Sequence, residues 1–261
     1  MQKEETAVGR ATKQKMTLNQ VRSELMRPLP AGMPTSPIED DAFERLYDAI
    51  VNGRIEPGSK LGEDEIAFAL AITRMRARKV LQQLSVVGLV TLIANRGAFV
   101  AKPSVNEARE VFSARRLIEG ELAAQMAKQR TEHDLSLLRQ HLEEQRAAMY
   151  GGNRSAYVKL IGEFHIVIAE LSRNRVIARI LMQLISQSSI IVMLYPGSQH
   201  ASCSIDEHET IVASIEAGDA DGAALLMRKH LELQESRLQL NADPSRRVTL
   251  AEALSVRSSD R

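Results

Sequence analysis

The sequence predicts a mainly α-helical protein, in which three short helices and a β-hairpin are followed by a longer region made only of helices. Three observations carry this prediction. Amphipathic helical stretches begin near residue 38, and the first of them is DDAFERLYDAIVNGRI. A hairpin-like stretch, GLVTLIANRGAFVAKP, closes the first block. Residues 104–241 are one long series of helical patterns without strand signals. A chain of 261 residues, 44% of them hydrophobic, is long enough for two domains.

We predict four regions along the chain. Residues 1–37 form a polar, flexible arm, in which regular structure is opposed by Pro28, Pro30, Pro34 and Pro37. Residues 38–102 form the first domain, and residues 103–242 form the helical domain. A polar tail occupies residues 243–261.

Charge and composition narrow the class of protein. The chain carries 34 Lys and Arg residues against 33 Asp and Glu residues, a net charge of +1, so any site for a polyanion has to be local. The single cysteine, Cys203, cannot form an internal disulfide, and no signal-peptide pattern is present. The longest apolar runs, such as SIIVMLYP, are too short to span a bilayer. We therefore expect a soluble, cytoplasmic protein with no membrane partner.

The first domain begins with two helices. DDAFERLYDAIVNGRI is ended by Gly53, and one of its faces carries Phe43, Leu46, Ile50 and Val51. A Pro-Gly turn in EPGSKL leads to the second helix, GEDEIAFALAI, whose packing residues we expect to be Ile66, Ala69 and Leu70.

The third helix carries a high local concentration of positive charge. Thr73 is its predicted N-cap, because a hydroxyl can accept a hydrogen bond from the free amides of the first turn. One face is formed by Ala77, Leu81, Leu84 and Gly88, and the remaining arc carries Arg74, Arg76, Arg78 and Lys79. Like charges three and four residues apart repel, and these lie at the positive end of the helix dipole. The cluster is unfavourable unless something anionic neutralises it.

The hairpin indicates what that anion is. Its predicted turn is Ala94-Asn95-Arg96-Gly97. Three short helices closed by a hairpin with an arginine at its tip are typical of a winged helix-turn-helix, whose third helix enters the DNA major groove while the wing reaches the adjacent backbone or minor groove. The alternative is a merely solvated basic helix face. We predict that DNA is contacted by Thr73, Arg74, Arg76, Arg78, Lys79, Asn95, Arg96 and Gly97.

The same residues resemble a known family. FERLYDAIVNGRIEPGSKLGEDEIAFALAITRMRARKVLQQLSVVGLVTLIANRGAFVAKPS resembles the DNA-binding domain of GntR-family bacterial transcription regulators. EVFSARRLIEGELAAQMA resembles the first helix of their FadR-type C-terminal domain, the FCD domain, and FHIVIAELSRNRVI and DEHETIVASIEAGDADGAALLMRKHL extend the resemblance to residue 240. It implies an antiparallel helical bundle with the six helices of the VanR-like subgroup.

The recognition helix departs from the family pattern. Relatives read S-R-T-P-V-R-E-A-L where this chain reads T-R-M-R-A-R-K-V-L. Arg74 and Arg78 match the two arginines that contact bases and phosphates in the family, whereas Arg76 replaces a proline and Lys79 replaces an acid. An upstream arginine of some members corresponds to Asp64, so that contact is expected to be missing.

The resemblance also implies a pocket for a small organic acid and, as in many members, a divalent metal. The metal-ligand positions fall on His165, His208 and His230, while the aspartate position is Ile161, which cannot ligate. Spacing alone would favour ordinary core or surface histidines, because the three match no local zinc motif. Three imidazoles with open coordination positions suit Zn²⁺ or Ni²⁺. We expect a divalent-metal site, with zinc as the first choice.

Arg115, in FSARRLIE, matches the arginine that faces the effector in relatives. A guanidinium can hold a carboxylate through two hydrogen bonds, so a small carboxylate-bearing effector is expected. The alternative for Arg115 is an ion pair with Glu119 one turn later, which is worth little at a surface.

These features together predict a homodimeric, ligand-responsive transcription regulator, not an enzyme. We expect a repressor of a catabolic operon, released from a palindromic operator in double-stranded DNA by a small organic acid. One alternative is a metal-dependent hydrolase that uses the three-histidine site, but no general base pairs with that site. A sequence-nonspecific architectural DNA protein is another, and it would not need a ligand pocket.

Overall fold

The computed structural model describes residues 17, 18, 20, 36–197 and 205–240. The first domain is built from α1 (Pro37–Val51), β1 (Lys60–Leu61), α2 (Glu63–Ala69), α3 (Arg74–Val86), β2 (Val90–Ile93) and β3 (Gly97–Val100). The described part of the second domain has six helices, the number that the resemblance implies. They are α4 (Val105–Gln129), α5 (Glu132–Tyr150), α6 (Arg154–Leu171), α7 (Arg175–Leu194), α8 (Ile205–Ala217) and α9 (Ala220–Ser236).

The first helix starts earlier than the sequence patterns predict. Ser36 is its N-cap, and the Ser36 side chain and the Glu39 side chain each bond the other's backbone amide in a capping box. Pro37 is the first helical residue, so placing it in the flexible arm was wrong. A proline is favoured at this position because its missing N–H has no partner there in any case.

The three helices of the first domain pack around one apolar core. Phe43, Leu46 and Ile50 of α1 meet Ala77, Val80, Leu81 and Leu84 of α3. Two details of the predicted faces were wrong. Ala69 is exposed and Ala67 packs in its place, and Gly88 lies beyond the end of α3 at φ +77°, where the chain turns into β2.

The wing has the predicted hairpin and one additional strand. β2 and β3 pair antiparallel, with Val90 opposite Val100 and Ile93 opposite Gly97. β1 pairs with the other edge of β3, which gives the strand order β1-β3-β2. The hairpin is therefore anchored on both sides of β3, and its tip projects away from the core.

The helical domain has its own core, which α4 and α9 build by packing along each other. Leu122 and Met126 of α4, Phe164 of α6 and Met227 of α9 are buried in it. Leu18 also belongs to this core and is only 1% exposed, so the arm prediction was wrong at this residue. Apart from residues 17, 18 and 20, the predicted arm before Ser36 lies outside the described residues, as does the predicted tail 243–261.

α7 connects the two domains. Its Leu181 lies in the core of the helical domain, and its Ile190 lies in the core of the first domain. By length and composition α7 is the one helix in the described part of the chain that could cross a membrane, so the sequence-based statement that every apolar run is too short was wrong. Because α7 contributes to both cores, the fold accounts for its apolar character without a membrane.

Candidate nucleic-acid interface and metal centre

The exposed face of α3 carries the predicted DNA-contacting residues. The Thr73 hydroxyl accepts a hydrogen bond from the Arg76 amide at 3.3 Å, so Thr73 is the N-cap. The Arg74 and Arg78 side chains are exposed, and Met75 between them is 80% exposed. The first two turns of α3 thus present two guanidinium groups and one apolar side chain to solvent.

Arg74 and Arg78 are neutralised within the protein. Arg78 donates to both carboxylate oxygens of Glu63, at 2.7 and 2.9 Å, and Arg74 donates to Glu63 at 2.9 Å. Hydrogen bonds from Arg78 and Arg74 lower the pKa of Glu63 to about 2. Glu63 opens α2, where the helix dipole also favours a negative charge.

Glu39 does the same for the other two cations. It lies 2.7 Å from the Lys79 ammonium and 3.9 Å from the Arg76 guanidinium. The sequence analysis expected the cluster to be unfavourable unless an anion neutralises it, and took DNA as that anion; in the structure two acids of the protein itself already do so. The acids come from α1 and α2, and only the packing of those helices against α3 brings them within reach.

The predicted wing residues form the hairpin tip. Asn95 has φ +60° and Gly97 has φ +99°, both in the left-handed region that a tight turn requires. Arg96 lies between them, exposed, with its guanidinium 5.8 Å from the Phe99 ring centre. The tip is thus a rigid turn that presents one cation.

The three predicted metal-binding histidines converge from three helices. His165 lies on α6, His208 on α8 and His230 on α9, and all three are buried. One ligand atom from each lies within 4.8 Å of the others, and the His165 and His230 Nε2 atoms are 3.4 Å apart. Two nitrogens bound to one tetrahedral zinc at about 2.1 Å would be separated by about the same distance.

Each histidine is oriented by an acceptor that the sequence patterns did not predict. Nδ1 of His165 bonds Glu119 Oε2 at 2.5 Å, and Nδ1 of His230 bonds Glu207 Oε2 at 2.6 Å. Nδ1 of His208 bonds Gln145 Oε1 at 2.9 Å. Such partners fix the proton on Nδ1 and leave the Nε2 lone pair for a metal. The acceptors are Glu119, Gln145 and Glu207.

The donor set fits a divalent metal. His208 Nε2 is buried and has no hydrogen-bond partner among the described residues. Burial lowers the pKa of His165 to about 4 and holds the pKa of His208 well below its usual value, so both imidazoles are neutral near pH 7. Buried imidazole nitrogens that face one another lack the hydrogen bonds that water would give them, and a shared cation would replace those bonds.

Arg115 and Glu119 form the ion pair that was the alternative interpretation of Arg115, but the pair is not at the surface. Arg115 Nε donates to Glu119 Oε1 at 2.6 Å, and the two side chains are 3% and 1% exposed. Burial by itself would raise the pKa of Glu119, but Arg115 and His165 together lower it to about 2. Glu119 is thus an ionised carboxylate that links Arg115 to His165.

A cavity of about 490 Å³ opens beside this network. Its wall includes Arg115, His165 and Ile161, the residue at the family's aspartate position. Ile161 is itself buried, so the cavity wall is apolar at this position, one helical turn before His165.

A winged helix-turn-helix joined to a separate helical domain is typical of the class of DNA-binding transcription regulators. Residues 38–100 match the family described as bacterial regulatory proteins, gntR family, and residues 110–233 match the FCD domain. The chain belongs to the GntR family of bacterial transcription regulators and carries an FCD domain, which confirms the resemblance found in the sequence.

Named proteins and solved structures resemble the chain over most of its length. The chain is 26% identical to the HTH-type transcriptional repressor RspR of Escherichia coli (strain K12) over 81% of this chain and 94% of that protein. It is 29% identical to the Uxu operon transcriptional regulator of the same strain, over 74% and 83%. Among solved structures, E. coli McbR/YncC has a TM-score of 0.66 at 18% identity, covering 76% of this chain and 95% of that one. A putative GntR regulator from Rhodococcus sp. RHA1 has a TM-score of 0.68 at 23% identity, covering 80% and 100%.

These comparisons confirm the fold class and the prediction that the protein is not an enzyme, because the family and the named relatives are transcription regulators. The hydrolase alternative has no support. Members of this family bind operator DNA, typically as dimers, and bind effectors in the FCD domain, which can also hold a metal.

Proposed function

We propose that the protein is a cytoplasmic, homodimeric repressor of a catabolic operon, which leaves a palindromic operator when a small carboxylate binds in the FCD domain. The observation that carries this proposal is the position of His165 and Arg115 on the wall of one cavity, beside His208 and His230. A carboxylate in that cavity would meet a guanidinium and the histidine cluster together.

The DNA contacts would come from α3 and the wing. The ion pairs with Glu63 hold Arg74 and Arg78 at exposed positions, whereas Lys79, paired with Glu39, is half-buried. Exposed pairs of this kind are worth about 0–1 kcal/mol, so exchanging Glu63 for a phosphate or a guanine edge costs little. The proposed contacts are Thr73, Arg74, Arg76, Arg78, Lys79, Asn95, Arg96 and Gly97.

His165, His208 and His230 would hold a divalent cation, with Zn²⁺ preferred and Ni²⁺ as the second choice. Such an ion would supply positive charge at the end of the cavity. Arg115 would bind and orient the effector's carboxylate, while Ile161 leaves the family's fourth protein ligand absent.

A dimer would couple effector binding in the helical domain to release of the operator. Two winged domains have to reach half-sites about one helical turn of DNA apart, so a change in the position of either domain lowers operator affinity.

The test uses full-length protein that has been stripped with a chelator and reloaded with Zn²⁺ or Ni²⁺. Fluorescence anisotropy would report binding to the DNA upstream of the protein's own coding sequence, with acetate, butyrate and succinate as probes. We expect His208→Ala to lose the metal and the response to carboxylate, because it removes a converging Nε2 atom. His133→Ala, on the outer part of α5, is the matched control and should retain both. Stripped wild-type protein that takes up neither metal, yet still responds fully to a carboxylate, would contradict the metal part of the proposal.

A further inference from the structure

The cavity beside the histidine cluster is shared between the two domains. On one side its wall is formed by Arg115 and His165, and on the other by Tyr47, Asp48 and Val51 from the last turns of α1. α1 belongs to the DNA-binding domain, and its other face packs on α3 through the first-domain core. Whatever fills this cavity therefore contacts the helix on which the recognition helix rests.

The wall between the domains is a packed interface. The Tyr47 hydroxyl lies 3.3 Å from the Ser186 hydroxyl of α7, and Tyr47 is buried. Asp48 lies 3.3 Å from the Lys159 ammonium of α6. These contacts hold α1 at a defined distance from α6 and α7. A ligand that lies between these helices therefore has to have a length that fits the space between them.

The charged side chains of the wall differ in how they are paired. Asp48 and Lys159 neutralise each other at the α1 end. At the other end, Arg115 uses Nε to bond Glu119, but its Nη2 atom is buried and has no hydrogen-bond partner in the described part of the chain. The side chain of Arg115 is 3% exposed, and donors buried to this degree normally have an acceptor. Capacity for one anionic group therefore lies at the Arg115 end.

The wall between the two ends is mostly apolar. The side chains that line it include Val51, Ile161, Ile185, Val192 and Met193. A second carboxylate on the ligand would meet these side chains, the neutral hydroxyls and amides of the other lining residues, or a lysine that is already paired with Asp48, and none of these offers a free counterion. The neutral polar lining residues include Asn52, Ser188, Ser189 and Gln234. Burying an unpaired charge on an apolar wall costs far more than an apolar contact contributes.

We propose that the effector is a monocarboxylate with an apolar tail, and that the tail reaches Val51 of α1. The inference rests on the proposed function and adds the ligand class and the route of the signal. The carboxylate binds at Arg115 and His165, and the tail lies between α1 and the helices α6 and α7. The bound tail then contacts α1 directly, so α1 can shift without a conformational change elsewhere in the FCD domain.

The test is calorimetry on full-length, zinc-loaded protein with butyrate, hexanoate, octanoate and suberate. Each buried methylene should tighten binding about fourfold, from roughly 0.8 kcal/mol per CH₂. Octanoate should therefore bind more tightly than butyrate, and suberate, which has the same length with a second carboxylate, more weakly than octanoate.

Matched variants locate the tail. Val51→Phe fills the part of the cavity next to α1. It should lower the affinity for octanoate about tenfold and leave the affinity for butyrate unchanged. Val176→Phe makes the same change on α7 at an exposed position outside the cavity and should bind like the wild type. Val51→Ala covers the case in which Val51→Phe does not fold, and it should weaken octanoate severalfold without affecting butyrate.

Three results would overturn the inference: octanoate binding no tighter than butyrate, suberate matching octanoate, or octanoate affinity unchanged in both Val51 variants. If butyrate binds and releases the protein from DNA, but affinity does not increase from butyrate to octanoate, the proposed function stands and the inference fails. If none of the four acids binds, the carboxylate effector of the proposed function fails as well.

Discussion

Replacing Glu119 by Gln tests the buried network that supports the proposed metal site. Glu119 accepts two hydrogen bonds, one from Arg115 Nε at 2.6 Å and one from His165 Nδ1 at 2.5 Å. All three side chains are at most 3% exposed. Glutamine has the same shape but only one acceptor oxygen, and its other terminal group is a donor. One of the two partners must therefore face a donor.

Both orientations of the amide are costly. Glutamine is neutral, so in either orientation the buried Arg115 guanidinium loses its counterion, and breaking such a pair costs about 3–5 kcal/mol of stability. If the amide nitrogen faces His165, the imidazole proton also has to move from Nδ1 to Nε2, which removes a lone pair from the proposed metal site. Loss of an orienting partner of this kind typically lowers metal affinity about 10–100-fold. We expect Glu119→Gln to show both effects.

Urea unfolding of stripped protein would measure the stability, and competition with a chromophoric chelator would measure the Zn²⁺ affinity. Glu207→Gln is the matched control, since Glu207 accepts from His230 and from Arg237 in the same way. The side chains of Glu207 and Arg237 are 20% and 28% exposed, so water can replace the lost partner, and the loss of stability should stay near 1 kcal/mol. Equal stability losses in the two variants, or wild-type Zn²⁺ affinity in Glu119→Gln, would refute the reasoning.

Three further changes have specific expected results. Arg78→Ala should weaken operator binding by about 1–3 kcal/mol in fluorescence anisotropy, with a smaller loss on random DNA, if Arg78 contacts a base edge. Ala71→Gly should stabilise the protein by about 1 kcal/mol in urea unfolding, because Ala71 is exposed at φ +53°, where a side chain is strained. Ile161→Asp should raise Zn²⁺ affinity and lower carboxylate affinity in calorimetry, because its oxygen occupies the position left for the effector.

Controls separate these effects from general damage. Arg45→Ala, exposed on α1, should leave operator affinity unchanged, and a loss equal to that of Arg78→Ala would remove the case for a specific contact. Ala69→Gly lies in the last turn of α2 and should destabilise by up to about 1 kcal/mol. If Ala71→Gly is also destabilising, the strain argument is wrong. For Ile161→Asp, an unchanged Zn²⁺ affinity would show that residue 161 does not face the metal.

Much of the first domain could be predicted because its signals are local. The Thr73 N-cap, the hairpin turn at Asn95 and Gly97 and the apolar face of α1 depend on residues within a few positions of one another. The errors lie at the ends of elements. Pro37 and Gly88 were misplaced because the end of a helix depends on capping and on the next element as much as on periodicity.

Spacing in the sequence could not place the three histidines together, and the family resemblance supplied that expectation. They are 43 and 22 residues apart and lie on three helices. No local pattern predicts that Glu119, Gln145 and Glu207 orient them, because these acceptors are 46, 63 and 23 residues from their partners.

The sequence by itself determined the two-part fold, the basic recognition helix and the identity of the residues available for a site. Tertiary structure alone decided how those residues are used. It placed Glu63 and Glu39 against the cations of α3, buried the pair of Arg115 and Glu119, and set α1 against the cavity. The physical reason is that charge and hydrogen-bond energies depend on distance and burial, and both are fixed only when helices far apart in the chain pack together.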